Sequence, residues 1–263
     1  MPVRLRHTRS HDYGYLVRRW RAVARSAGLI MRKFAEAGGN DLYFLRSRKI
    51  RNDVPSIYIS AGIHGDESAA TEGLLAWAER NPELIEKLNF LIFPCLNPWG
   101  LIANSRYDSE GRDLNRSYHS SKVPQIALQM ALFSDHAFDL ALMLHEDYDG
   151  QGVYIYEVTG KKPYWAEELL KAASKHIDPD PRSKIEGRSA RHGVVRRKVT
   201  PDMMPEWPEA FVLCFQNVAR VLTVETPSEF HLDDRIEAQV ALVDRAVKLV
   251  QKEFSLPNSP VEA

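Results

Sequence analysis

Three polar clusters stand directly behind apolar runs of strand length. They are His64-Gly65-Asp66-Glu67 after IYISAG, His145-Glu146-Asp147 after Phe138–Leu144, and Glu225 closing VLTV. In an open α/β sheet, residues just beyond the carboxyl ends of strands converge on one crevice. His64 and Glu67 are three positions apart, close enough for both to meet one ion at a loop-to-helix junction. The distant His145 could complete a His₂Glu set, a known catalytic zinc arrangement that leaves a position open for water. Taken alone, the HxxE spacing equally fits a Glu67 that merely occupies a helix's first turn, where its charge is favourable. Glu225 resists so plain an explanation, because a carboxylate closing a buried strand is costly unless paired or metal-associated. Glu146 and Asp147 are read as a solvated loop edge with no metal role.

The elements that must position these residues alternate along the chain. Asp12 or Ser10 caps an early helix through about Ala27, with Leu16, Trp20, Val23 and Ala24 at helical spacing. Ala37-Gly38-Gly39-Asn40 breaks that pattern, and Leu42–Lys49 reads as a strand. After a turn at 52–55 come the strand 57–62, a helix over Glu67–Glu79, a helical or turn-like Pro82–Leu88 and a strand over Phe90–Leu96. The polar segment from Trp99 to about Val123 is too long for an ordinary connection and is read as a functional loop. A helix at Pro124–Ser134, strands at Phe138–Leu144 and Val153–Val158, and a helix at Tyr164–His176 follow. Residues 178–209 form a Pro- and Arg-rich excursion before a strand at Val218–Thr226 and a final amphipathic helix at Asp233–Glu253. Several strands are apolar on both faces, which points to an α/β fold with a largely parallel sheet. No repeat or linker divides the chain, so residues 1–263 are expected to form a single domain.

Composition bounds the partners. The 263 residues carry 35 basic and 35 acidic side chains, which gives no global electrostatic reason for a nucleic-acid or anionic-membrane partner. At 44% hydrophobic and 27% charged the chain is globular in character rather than disordered. Cys95 in FPCL and Cys214 in VLCF lie inside apolar runs and read as buried free thiols. The first residues lack the apolar stretch of a secretory signal, and no window reaches the roughly 18 apolar residues of a membrane span. A cytoplasmic location is therefore expected. Locally the balance is uneven, with 13 basic against 4 acidic side chains in residues 1–55 and 4 against 8 in 221–263. The N-terminal arginines serve either a subunit contact or helix solvation, so homo-oligomerisation stays open.

HGDE at 64–67, NPWG at 97–100, SRY at 105–107, DLNR at 113–116, His145 and VETP at 224–227 follow one another in order. Together they resemble the zinc carboxypeptidase superfamily, peptidase family M14, whose relatives include aspartoacylases and succinylglutamate desuccinylases. The resemblance spans residues 57–245 and implies a single-domain fold with a twisted, mostly parallel mixed sheet flanked by helices. It implies that one Zn²⁺ is bound by His64, Glu67 and His145, with Asp113 orienting the first histidine. It assigns Glu225 to general-base catalysis, Arg106 to the polarised carbonyl, and Asn115 with Arg116 to a substrate carboxylate. Each role has a physical warrant. A carboxylate can carry the proton from water to the leaving amine, and an arginine can stabilise charge that develops on oxygen. Arg116 offers a bidentate fork that lysine lacks, while Asp113 can fix a ligand's tautomer.

The implied activity is zinc-dependent hydrolysis of an amide bond adjacent to a carboxylate, in a peptide or an N-acyl amino acid. Desuccinylase-like relatives usually carry an additional β-rich C-terminal domain, for which the stretch after Glu225 leaves no room, so a carboxypeptidase is the leading expectation. An N-acyl amino acid deacylase is the alternative, and an inactive zinc- or peptide-binding module is a third. Tyr148, Tyr154 and Tyr156 are candidates for a tyrosine over the cleft, the last two being better explained by core packing. Residues 182–198 hold seven basic side chains and one acidic one, and either border the cleft or form a solvated loop.

Overall fold

The computed structural model describes residues 9–119, 122–158, 160–216 and 218–255. Arg4 and Arg6, among the arginines considered for subunit contact, lie outside them. The helix α1 (Tyr13–Ser26) begins where Asp12 accepts a hydrogen bond from the Tyr15 amide, and it buries Leu16, Trp20, Val23 and Ala24. Next come the antiparallel strands β1 (Leu29–Ala37) and β2 (Asn40–Ser47), turning at the glycines. The sequence reading missed β1, whose exposed Arg32 and Lys33 dilute the strand pattern at the sheet edge.

The chain continues through β3 (Ser56–Ala61), α2 (Ser68–Arg80), α3 (Pro82–Glu86), β4 (Asn89–Phe93) and α4 (Pro98–Ala103). A 3₁₀ turn at Leu114–Arg116 precedes α5 (Pro124–Phe133), β5 (Leu140–Asp147), β6 (Tyr154–Glu157) and α6 (Ala166–Ala173). The short strands β7 (Lys184–Ile185), β8 (Arg188–Ser189) and β9 (Val194–Arg196) lead to α7 (Glu209–Phe215), β10 (Val221–Pro227) and α8 (Leu232–Phe254). The long segment after Trp99 is thus organised by α4 and the 3₁₀ turn. The 178–209 excursion contributes a separate hairpin, β7–β8, and an edge strand, β9. Residues around Cys214 form α7, which leaves that thiol half-buried, whereas Cys95 is fully buried as expected.

Among the described residues the main sheet has eight strands in the order β1-β2-β4-β3-β5-β10-β6-β9. Its centre is parallel, β4 and β5 flanking β3 and β10 following β5, while β2–β4 and β10–β6 are antiparallel. This is the mixed α/β sheet flanked by helices that the sequence implies. Side chains alternate across it. Leu142, Leu144, Leu222, Val224 and Ile155 join one core with Trp20, Trp77, Leu169 and Leu242. Ala141, Met143 and Val221 join the other with Ile126, Phe133, Phe211 and Leu213. No helix among the described residues is long and apolar enough to cross a membrane.

Two glycines of the ordered motifs meet backbone to backbone. A Cβ on Gly65 would lie 1.9 Å from the Gly100 carbonyl carbon, and the Gly65 amide donates to the Ser105 carbonyl at 3.0 Å. The loop carrying His64 therefore rests directly on α4. Gly65→Ala is expected to cost about 1–3 kcal/mol or more by overpacking, and to displace His64. Thermal melting together with zinc stoichiometry checks it; an unchanged melting temperature with full zinc content would contradict the close-contact argument.

Candidate active site

The parallel register of β5 and β10 sets the geometry. Glu225 stands beside His145 across the ladder, and on its other side pairs with Tyr154 of β6. Because paired residues share a face, Met143 and His145, Thr223 and Glu225, and Tyr154 and Tyr156 all point to one side of the sheet. All six line the same cavity. The other walls come from His64, Glu67, Arg106, Asn115 and Arg116 and from the segments around Glu186, Arg197 and Glu209. Its volume is about 250 Å³.

His64, Glu67 and His145 bring ligand atoms within 4.8 Å of one another, and all three residues are buried. Glu67 Oε1 lies 2.5 Å from His64 Nδ1, and Oε2 lies 3.0 Å from His145 Nδ1. Oε2 still makes no hydrogen bond of acceptable geometry, a buried oxygen left without a partner. Two imidazoles and a carboxylate converging in this way suit a divalent ion of zinc type. Burial pushes the Glu67 carboxyl up, but the two imidazoles more than offset it and leave it at about 2. Burial pushes His64 down, yet the Glu67 charge and the hydrogen bond to Asp113 raise it to about 9.

Asp113 works at two places. Its Oδ1 lies 3.1 Å from His64 Nε2, which turns Nδ1 towards Glu67, and it accepts from the Asn115 amide at 2.9 Å. Its Oδ2 accepts from Arg106 Nε at 3.2 Å and Nη2 at 2.9 Å. Arg106 Nη1 is thereby held 3.2 Å from His64 Nδ1. Burial would raise the Asp113 carboxyl, but the His64 hydrogen bond and the arginines hold it well below the usual carboxylate range. Asn115 Oδ1 accepts from the Glu209 amide at 2.9 Å, which fixes the amide side chain beside Arg116. Arg116 Nη1 donates to the Asn115 carbonyl at 3.0 Å. Burial raises the Glu225 carboxyl well above its ordinary value; His145 works against this and Glu67 adds to it.

Every residue singled out from the sequence for metal, acid–base or carboxylate chemistry therefore faces this one cavity, except Asp113, which supports it from behind. Several expectations need correction. Glu146 is no solvated edge: it is buried, accepting from the Ala69 amide at 2.8 Å and from Arg235 Nη1 at 2.7 Å. Those contacts tie the start of α2, and hence Glu67, to β5 and α8. Asp147 accepts from the buried Tyr154 hydroxyl at 3.0 Å. Tyr154 and Tyr156 are both packed and cavity-lining, whereas Tyr148 is 72% exposed and lies outside that cavity. Glu209 escaped notice altogether. Its carboxylate is buried and accepts from Tyr58, Ser60 and Gln129, a network that no local spacing in the sequence announces.

Known proteins share this fold and part of the sequence. Residues 53–173 match the succinylglutamate desuccinylase/aspartoacylase catalytic domain. A candidate metallopeptidase from Shewanella amazonensis superposes with a TM-score of 0.83 at 24% identity, over 92% of this chain and 94% of that one. A metallo-carboxypeptidase from Pseudomonas aeruginosa, in complex with (2-guanidinoethylmercapto)succinic acid, has a TM-score of 0.65 at 20% identity, covering 90% and 69%. Carboxypeptidase 2 of Trichophyton rubrum is 27% identical over 145 residues, 51% of this chain and 24% of that protein. The chain thus spans about a quarter of the length of that fungal protein.

A proton-linked metal site follows from these charges. With His64 raised to about 9, the metal-free protein holds its proton at pH 7, and a metal ligand must lose it. Zinc binding at pH 7 is expected to release at least one proton, with affinity rising as pH increases towards 9 and falling below it. Titration calorimetry of chelator-treated protein in buffers of different ionisation enthalpy reads the proton count. Binding without proton release would remove His64 from the ligand set.

Proposed function

We propose that this chain, a zinc metallohydrolase of the M14-like zinc-carboxypeptidase superfamily, cleaves the amide bond of a small N-acyl amino acid next to the substrate's carboxylate. The observation that carries the reading is the shared cavity. It joins the His64/Glu67/His145 set and Glu225 to Asn115 and Arg116 within about 250 Å³, below the roughly 300–1,000 Å³ of common ligand pockets. A space that small suits an acyl amino acid better than an extended peptide. The match of residues 53–173 to the desuccinylase/aspartoacylase catalytic domain supports the same choice, as against the carboxypeptidase favoured from chain length.

Bound in the His64/Glu67/His145 set, a zinc ion supplies Lewis acidity, which acidifies water and polarises a carbonyl. The protein's own groups do the rest. Arg116 and the Asn115 amide orient the substrate through its carboxylate, which brings the scissile carbonyl to the far side of the cavity. Glu225 takes a proton from the attacking water at its carboxylate and returns it to the leaving nitrogen. Burial raises the basicity of the Glu225 carboxylate, which makes it a stronger acceptor for that proton. Arg106, pinned through Nε and Nη2 by Asp113, directs Nη1 at the site where negative charge grows on the carbonyl oxygen.

The second reading, release of a C-terminal amino acid from a peptide, is favoured by the stretch shared with the fungal carboxypeptidase. A kcat/KM comparison separates them: N-acetyl amino acids should exceed tetrapeptides with the same C-terminal residue at least tenfold, and the reverse order would select the peptidase. Glu225→Gln should lower kcat by about 10²–10⁴-fold with zinc content unchanged; full activity would remove the proton-transfer role. Arg116→Ala should raise KM by about 10–100-fold on carboxylate substrates. An equal loss on the corresponding amidated substrates would argue against carboxylate anchoring.

A further inference from the structure

The reverse face of β5 and β10 carries polar groups for which the reaction has no direct use. His145 pairs with Glu225 across the ladder and Glu146 with Thr226, so the second pair points away from the cavity, towards α2 and α8. Thr226 and Gln239 of α8 are both fully buried. Gln239 Nε2 donates twice, to the His145 carbonyl at 2.8 Å and to Thr226 Oγ1 at 3.0 Å. The Thr226 hydroxyl in turn donates to Glu146 Oε1 at 3.3 Å, an oxygen that also accepts from Arg235 Nη1 at 2.7 Å. One amide thus ties the end of β5 to the end of β10 from behind. Gln239 comes this close because α2 presents Gly73 to it, where a Cβ would lie 2.4 Å from the Gln239 Cβ. The arrangement is costly to the fold, since Gln239 Oε1 is buried without a hydrogen-bond partner. A leucine of similar size would carry no such penalty.

We propose that Gln239 and Thr226 are positioning residues, which from behind the sheet fix the spacing between His145 of the metal set and Glu225. Neither lines the active-site cavity, so both act through their neighbours. The strand ends need such a tie. β10 closes at Pro227, which has no amide to give the ladder, so backbone pairing weakens just past His145 and Glu225. A base must stand within hydrogen-bond reach of the proton it takes, and a misplacement of about 1 Å can cost about 10²-fold in rate. Hydrogen bonds behind a metal ligand are commonly worth about 10–100-fold in metal affinity. A polar group kept in the core at a cost to packing is expected where the site requires it. The inference rests on the proton-transfer role proposed for Glu225; its metal-binding half rests on His64, Glu67 and His145 alone.

The experiment compares Thr226→Val, Thr226→Ser and Gln239→Leu in the zinc-loaded full chain. Arg245→Gln, which breaks a surface pair with Glu168 on the same helix, is the control. On an N-acetyl amino acid, Thr226→Val and Gln239→Leu should lower kcat about tenfold or more and leave KM within about twofold. Their zinc dissociation constants, read by chelator competition without turnover, should rise about tenfold. Thr226→Ser restores the hydroxyl and should recover kcat and zinc affinity to within about twofold of wild type, where Arg245→Gln should also stay. Gln239→Leu should melt within a few degrees of wild type, because it removes an unpaired buried oxygen along with the hydrogen bonds. Wild-type kcat and zinc affinity in both Thr226→Val and Gln239→Leu would overturn the proposal. So would a Thr226→Ser protein as impaired as Thr226→Val, or a KM that rises in step with the fall in kcat, since either makes the effect one of packing. If the wild-type chain hydrolyses no N-acyl amino acid while zinc affinity still follows the hydroxyl, the amidohydrolase reading fails and the tie to His145 stands.

Discussion

Glu67 is an anion in the interior, and much of the molecule answers to it. A buried carboxylate needs counter-charge close at hand, and here the two histidines provide it. They reach it from different places: His64 leaves β3 and rests on α4 through Gly65, and His145 comes from β5. Holding three chain segments at one point requires rigid neighbours. Glu146 supplies one by joining the α2 amide at Ala69 to Arg235 of α8, and Gln239 adds another by donating to the His145 carbonyl at 2.8 Å. The structure thus spends a second buried acid, Glu146, on keeping the first in place.

Asp113 extends the same logic to the substrate side. One carboxylate orients a metal-binding imidazole, pins Arg106 and caps the turn that carries Asn115 and Arg116. The placement of Arg106 and that of the Asn115–Arg116 turn are therefore not independent. Both depend on Asp113, at the start of the turn at 113–116. A change at Asp113 would disturb His64, Arg106 and the turn at 113–116 at once, whereas Arg116 is tied to its own turn through the Asn115 carbonyl.

The central strands, the long helices and the metal set were legible because each leaves a local mark. Apolar runs of strand length give β3, β5 and β10, and the polar residues behind them give His64, His145 and Glu225. What escaped depends on contacts between remote segments. β1 is a half-solvated edge strand whose pattern is diluted by charge, and β7 to β9 are too short to carry a period. Glu146 and Glu209 read as ordinary polar residues because their partners lie 77 or more positions away. The basic run showed its charge but not its pairing, since only the fold decides which arginines find a carboxylate.

The hairpin β7–β8 belongs to a sheet of its own, and Ile185 and Ala190 pack with Tyr154 and Val195 in a small cluster apart from the two main cores. The floor of the cavity, by contrast, is the central sheet itself. The central strands and the hairpin consequently differ in their tolerance for change. Substitutions in β5 or β10 propagate through both cores, while the hairpin can exchange side chains at little cost to either. Such a division leaves the hairpin side of the cavity open to change while the strands of its floor stay fixed.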